Sequence, residues 1–211
     1  MIRHLSLDLW NTLIGPQPAY RRERASTLAH TLGISPELAE LRYTWAKNVV
    51  RARTPKRLVG ICATLLGTES GAADLARRLE SLFLENVRGP APLVVSRLSK
   101  LNDNGITLSV ATNVGVMESH VLGPWILTWQ PKIAFYTADD EVGYSKPDRR
   151  FFEHMMEQAR LLDPGIKANE MLHIGDDPHC DYHGALRAQL RALLVSGVHE
   201  TPHALDIVGR L

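Results

Sequence analysis

Ile106-Thr-Leu-Ser-Val-Ala111 is entered through Asn104-Gly105 and left through Thr112-Asn113, and it reads as a strand. Segments of helical period flank it, at about 92–103 and about 115–129. The alternation continues toward the C-terminus: a strand Ile133–Tyr136, a helix at about 149–161, a strand Met171–Ile174, a helix near 179–188, a strand Ala192–Val195 and a short last helix. Toward the N-terminus, Ile2-Arg-His-Leu-Ser-Leu-Asp-Leu-Trp10 supplies one more strand, closed by the polar turn Asn11-Thr12. Alternation of this kind predicts an α/β fold, a doubly wound, Rossmann-like parallel sheet with helices on both faces.

Between that first strand and the rest, from Pro16 to Gly89, the period is helical. Four helices are expected at about 18–32, 36–52, 55–66 and 70–87, punctuated by Gly33-Ile-Ser-Pro36, Thr54-Pro55 and Gly67-Thr-Glu-Ser-Gly71. Ser35-Pro36-Glu37 has the form of an N-cap followed by proline at the first helical position. The expected organisation is a core of residues 1–14 and 91–211 with a helical domain, residues 15–90, inserted after the first strand.

A chain of 211 residues has room for one domain and a sizeable insertion, at roughly 150 residues per domain. Apolar residues make up 45% and charged residues 22%, which excludes disordered and collagen-like classes. No run approaches the ~18 apolar residues of a membrane helix, and Asp8 interrupts what would be the apolar stretch of a secretory leader. Two cysteines, Cys62 and Cys180, are too few for a disulfide framework, so a reducing, cytoplasmic setting is expected. A net charge of +1 argues against nucleic acid as a partner. The charge is uneven: Leu41–Thr68 holds no acidic residue but carries Arg42, Lys47, Arg51, Arg53, Lys56 and Arg57. Such a segment is either a solvated helix face or a means of drawing in an anionic ligand.

Open parallel sheets bind ligands beyond the carboxyl ends of their strands. Asp8 follows the first strand, Thr112-Asn113 the second and Asp176-Asp177 the fourth, while Lys146 lies in the long loop after the third. Each has a plain structural reading by itself. Asp8 could cap a turn, Asp177 before Pro178 could cap a helix, Lys146 could be an ordinary loop lysine, and Thr112-Asn113 could be turn chemistry. Together they place a carboxylate, a hydroxyl, a lysine and an acidic cluster on one edge, and that combination reads as catalytic.

Leu7-Asp-Leu-Trp-Asn-Thr-Leu13, Ala111-Thr-Asn113, Glu141-Val-Gly-Tyr-Ser-Lys-Pro-Asp148 and Ile174-Gly-Asp-Asp-Pro-His-Cys-Asp-Tyr-His-Gly-Ala185 resemble, in order, the four motifs of the haloacid dehalogenase-like (HAD) hydrolases. The helical insertion resembles the cap of the subgroup that contains phosphoglycolate phosphatase-like and dehalogenase-like members. The resemblance implies that Asp8 is a nucleophile forming an aspartyl-phosphate. It implies Mg2+ held by Asp8, the backbone carbonyl of Trp10 and Asp176, with Asp181 as a direct ligand or through water. Lys146 would balance the charge of Asp8 and the phosphate, and the Thr112 hydroxyl would bind phosphate oxygens.

The departure is Trp10. Phosphatases of the family usually carry a second Asp there, which protonates the leaving group and then activates water. Indole offers only an N–H donor. Slow turnover on alkyl phosphates is therefore expected, with aryl or acyl phosphates less affected. Metal-free 2-haloacid dehalogenases of the same superfamily place an aromatic residue at this position, which makes them the main alternative. Asp176 and Asp177 favour the phosphatase reading, because an acidic pair suits a cation. A phosphate-binding regulatory protein with little turnover is the other alternative. Trp10, Asn113, Arg21 and Arg42 are the candidate substrate contacts, with Arg22 beside them, and the substrate is expected to be small and anionic. The chain is expected to act as a monomer or homodimer. His173, His179 and His183 crowd the fourth motif without matching a zinc signature. Trp125 and Trp129, at i and i+4, are expected to be core or apolar surface.

Overall fold

The computed structural model describes residues 1–50 and 57–210, which fall into two compact units. Arg51, Arg53 and Lys56 of the basic segment lie outside the described residues.

The first unit comprises Met1–Pro16, Gly89–Val114 and Gly123–Leu211. Its strands are β1 (His4–Leu7), β2 (Thr107–Thr112), β3 (Phe135–Ala138), β4 (Met171–Gly175) and β5 (Arg191–Leu194). They form an all-parallel sheet in the order β3-β2-β1-β4-β5. This is the α/β Rossmann-like architecture that the alternation predicts. β1 and β4 are buried along their whole length, as strands covered on both faces must be. In β1 the faces differ in chemistry: Leu5 and Leu7 alternate with His4 and Ser6. His4 Nε2 lies 2.8 Å from Ser109 Oγ, and burial lowers the His4 imidazole to a pKa of about 4.

The longest helix on the sheet, Arg149–Leu162, shows how local sequence seats an element. Its N-cap Asp148 accepts from Arg150 N–H at 2.9 Å. Phe151, Phe152, Met155, Met156 and Ala159 fall on one face and join Ala111, Met171, Ala185 and Leu190 in a continuous apolar core. Trp125 and Trp129 meet edge to face, with centroids 4.9 Å apart.

The second unit comprises Gln17–Arg88 and Gly115–Leu122. It is built from α1 (Pro18–Leu32), α2 (Pro36–Val50), α3 (Arg57–Leu66) and α4 (Ala72–Asn86). Gly33, at φ 65°, ends α1 in the left-handed region with its N–H on Ala29 O. Ser35 Oγ accepts from Leu38 N–H at 3.3 Å at the start of α2. Leu28, Tyr43, Ala46, Ile61, Leu79 and Phe83 fill the interior. Inside it, the Arg24 guanidinium sits over the rings of Tyr20 and Tyr43, 5.2 and 4.1 Å from their centroids, and pairs with Glu40. Among the described residues, no helix is long and apolar enough to cross a membrane.

Candidate active site

Asp8 begins where β1 ends. Its N–H donates to Ile174 O at 2.8 Å, which ties it to the neighbouring β4. The chain then turns tightly: Asn11 N–H bonds Ile14 O and Ile14 N–H bonds Leu9 O, both at 2.8 Å. Asn11 adopts φ 58°, a conformation that asparagine tolerates better than most residues, and its side chain hydrogen-bonds Asp176. Trp10 sits half-buried in this turn.

Lys146 arrives in the loop before Arg149–Leu162, and the Asn113 side chain fixes its backbone from both directions. Asn113 Nδ2 donates to Lys146 O at 2.9 Å, and Lys146 N–H donates to Asn113 Oδ1 at 2.8 Å. The ammonium then spends three donors: on Asp8 Oδ1 at 2.6 Å, Asp181 Oδ1 at 2.6 Å and Ala111 O at 2.8 Å. With its side chain only 2% exposed, it cannot turn away.

Asp181 reaches this point because the chain after β4 winds into a π-helical turn, Pro178–His183. Asp177 caps that turn, accepting from His179 N–H and Cys180 N–H, each at 2.8 Å. Its own N–H donates to Asp181 Oδ2 at 3.0 Å. Gly175 is required for the approach, since a Cβ there would overlap Cγ, Oδ2 and Cβ of Asp181.

The electrostatics follow from one ammonium shared by unequal partners. Burial opposes charge on Lys146, yet Asp8 and Asp181 together hold its pKa above the usual lysine value. Burial likewise opposes charge on Asp181, but Lys146 and His173 outweigh it and hold the carboxyl well below the carboxylate range. Asp8 receives less help. Burial pushes it up to about 6 against the pull of Lys146, and Asp181 adds to the rise. Asp176 is raised too, by burial and then by Asp181. Asp8, Asp176 and Asp181 present ligand oxygens within 4.8 Å of one another. Among the described residues they are the group of His, Cys, Asp and Glu side chains with metal-binding geometry; His179 and His183 are not part of it.

The structure thus brings Asp8, Lys146, Asp176 and Asp181 together. Thr112 is buried at the end of β2, with its hydroxyl 3.3 Å from Asn113 O, and Asn113 has both ends of its amide on the lysine loop. Arg21 and Arg42 belong to the helical unit. Arg21 pairs with Glu40 at 3.1 Å, and Arg42 is exposed on α2. Two further residues join the cluster: His173, noted in the sequence only as one of the histidines crowding the fourth motif, and Ser6, which was not singled out there. His173 Nε2 lies 3.1 Å from Asp181 Oδ1, and His173 Nδ1 lies 3.0 Å from Ser6 Oγ. The available signal was a polar residue in the middle of an otherwise apolar strand.

The HAD-hydrolase-like family model matches residues 143–208, the segment that carries Lys146, Asp176 and Asp181. The human haloacid dehalogenase-like hydrolase domain-containing protein 3 is 30% identical over 113 residues, 54% of this chain and 41% of that protein. Both of these similarities are to HAD-like hydrolases. The match spans about two fifths of the length of that human relative. Among solved structures, the HAD-hydrolase YfnB of Bacillus subtilis, determined bound to magnesium, superposes with a TM-score of 0.70 at 18% identity, covering 97% of this chain and 99% of that one. A 2-haloacid dehalogenase of Pseudomonas syringae pv. Tomato superposes with a TM-score of 0.72 at 20% identity, covering 100% and 99%. A HAD phosphatase of Thermococcus onnurineus superposes with a TM-score of 0.66 at 17% identity, covering 99% and 98%. At these identities the likeness shows a shared fold.

Proposed function

We propose that this HAD-like protein is a Mg2+-dependent phosphatase acting on a small phosphorylated metabolite in the cytoplasm, through an aspartyl-phosphate on Asp8. The observation that carries the reading is the carboxylate trio around a lysine-paired Asp8. Three carboxylates face one ammonium, so the cluster keeps an excess of negative charge and offers only oxygen ligands. That donor set fits a hard divalent ion that retains several waters. Asp8, the Trp10 backbone carbonyl and Asp176 would hold it, with Asp181 as a further ligand or through water. Bound there, Mg2+ would neutralise phosphate oxygens and relieve the repulsion between the substrate and Asp8.

The chain's own residues carry the chemistry. An Asp8 oxygen attacks phosphorus as the bond to the leaving oxygen breaks, and that oxygen takes a proton from solvent. Water then attacks phosphorus, the bond to Asp8 breaks, and phosphate, a proton and a free carboxylate are released. Lys146 holds Asp8 in one orientation, and Thr112 with nearby backbone amides would receive the phosphate oxygens. Trp10 cannot supply the proton that an Asp at its position would, a deficit of about 10²–10⁴-fold. It would instead line the pocket. The helical unit would serve as the cap that selects the substrate, with Arg21 and Arg42 toward its anionic part.

Trp10 also favours a second reading, a metal-independent 2-haloacid dehalogenase in which Asp8 displaces halide from carbon. Hydrolysis of p-nitrophenyl phosphate with Mg2+ and with EDTA, beside halide release from 2-chloropropionate, separates the two. Metal-dependent phosphate release lost in Asp8→Asn is expected. Halide release that ignores EDTA would overturn the phosphatase reading.

A further inference from the structure

A histidine in the middle of a fully buried strand costs desolvation unless both ring nitrogens are satisfied, and at His173 both are. By strand register Ser6 stands directly opposite, and its Oγ lies 3.0 Å from Nδ1. On the other side Nε2 lies 3.1 Å from Asp181 Oδ1. The ring plane is set by Phe152, which packs edge-on at 5.4 Å and 78°. Phe152 is in turn among the nearest neighbours of Gly184, next to the Cα of Pro147, the residue after Lys146.

The tautomer follows from these partners. Asp181 Oδ1 already accepts from Lys146, so Nε2 must bring a proton to it. A neutral ring then presents a lone pair at Nδ1, and the Ser6 hydroxyl donates to it. The carboxylate of Asp181 is consequently held at three points: His173 and Lys146 on Oδ1, and Asp177 N–H on Oδ2. Lys146 leans on that carboxylate with one of its three donors, and so its aim at Asp8 depends on where Asp181 is held.

We propose that His173, oriented by Ser6, is a positioning residue that acts through Asp181 and Lys146 to fix the reacting oxygen of Asp8. The proposal rests on the reading of Asp8 as nucleophile, and it applies equally to phosphate and halide displacement. A leucine would fill the same volume but leave Oδ1 of Asp181 with one donor and freedom to rotate.

The isosteres separate positioning from packing. In His173→Gln the side-chain amide keeps an N–H near the place of Nε2; in His173→Asn it does not reach. His173→Asn should lower kcat about 10–100-fold with KM unchanged, and should weaken Mn2+ binding, read by electron paramagnetic resonance, by a similar factor. His173→Gln should restore most of both. Equal losses in the two variants, at matched melting temperatures, would overturn the proposal, as would a fully active His173→Asn. If His173→Asn does not fold, the ¹⁵N spectrum of the wild-type imidazole decides: protonation at Nε2 supports the relay, and protonation at Nδ1 refutes it. The underlying reading fails separately, by persistence of turnover in Asp8→Asn. The ¹⁵N measurement stands whatever the substrate proves to be.

Discussion

Replacing Lys146 by Met keeps the aliphatic stem in its packing and removes the charge, which isolates what the ammonium does. In the native protein it lies 2.6 Å from a carboxylate oxygen of Asp8 and 2.6 Å from one of Asp181, in a site where its side chain is 2% exposed and theirs are 9% and 3%. Removing one partner of a buried pair costs about 3–5 kcal/mol, because the remaining charge is left without solvent or counterion. Here two carboxylates lose the same cation, so the upper end, ~5 kcal/mol, is expected at pH 7.5 with EDTA present. Domains are stable by only about 5–15 kcal/mol, so the variant should be folded but visibly weakened.

The loss must also depend on pH, with a fixed sign. Burial already lifts Asp8 to about 6 with Lys146 in place, and without the lysine it rises further. The folded variant then holds a proton that the unfolded chain, with an aspartate near ~3.9, does not. Its stability therefore rises as pH falls from 7.5 toward 4. At about 1.4 kcal/mol per pH unit for one proton, some 2–3 kcal/mol should return between pH 7.5 and 5.5. Because the charges are buried, 0.5 M NaCl should change little. Urea unfolding followed by circular dichroism at the two pH values measures all of this. A loss under 1 kcal/mol at pH 7.5, or one independent of pH, would refute the assigned charge balance.

Other perturbations probe the same cluster from different sides. Gly175→Ala inserts a methyl group into the space of Asp181; a cost of about 1–3 kcal/mol and a large fall in Mn2+ affinity are expected, from thermal melts and titration. Asp177→Ala removes the cap of the π-helical turn but not the backbone N–H on Asp181, so about 1 kcal/mol of stability should go while most turnover remains; loss of activity as complete as in Asp176→Ala would contradict the capping role. Asp8 must be ionised to attack, so kcat/KM should fall as pH drops through about 6 at low Mg2+, and the fall should shift to lower pH at saturating Mg2+, since metal and proton compete for one carboxylate. An acid limb that does not move with Mg2+ would place the ion away from Asp8.

What could be read in the sequence, and what could not, divides by how local the determining interaction is. α1, Arg149–Leu162 and β4 start and stop where Pro18, Asp148 and Gly175 or their neighbours say they should, because caps and breakers act within a few residues. β3 is expected at Ile133–Tyr136 but runs Phe135–Ala138, since Ile133-Ala-Phe-Tyr-Thr-Ala138 is strand-compatible throughout and the end is set by pairing of Thr112 with Ala138. The helix expected near 179–188 is a π-helical turn followed by a short α-helix, because Asp177 takes two successive N–H groups and sets the first turn. The four-residue helix Asp139–Val142 is too short to carry a period. The site divides the same way. Asp8, Lys146 and Asp176 stand at strand ends and in loops, where residue type and position already suggest chemistry. Ser6 and His173 act from inside strands, and nothing in either segment alone says that they face each other. That fact belongs to the register between β1 and β4, two segments more than 160 residues apart. A serine and a histidine spent in the two most buried strands, where apolar residues would pack at no desolvation cost, show that the carboxylate held beyond them depends on the sheet as well as on its own loop.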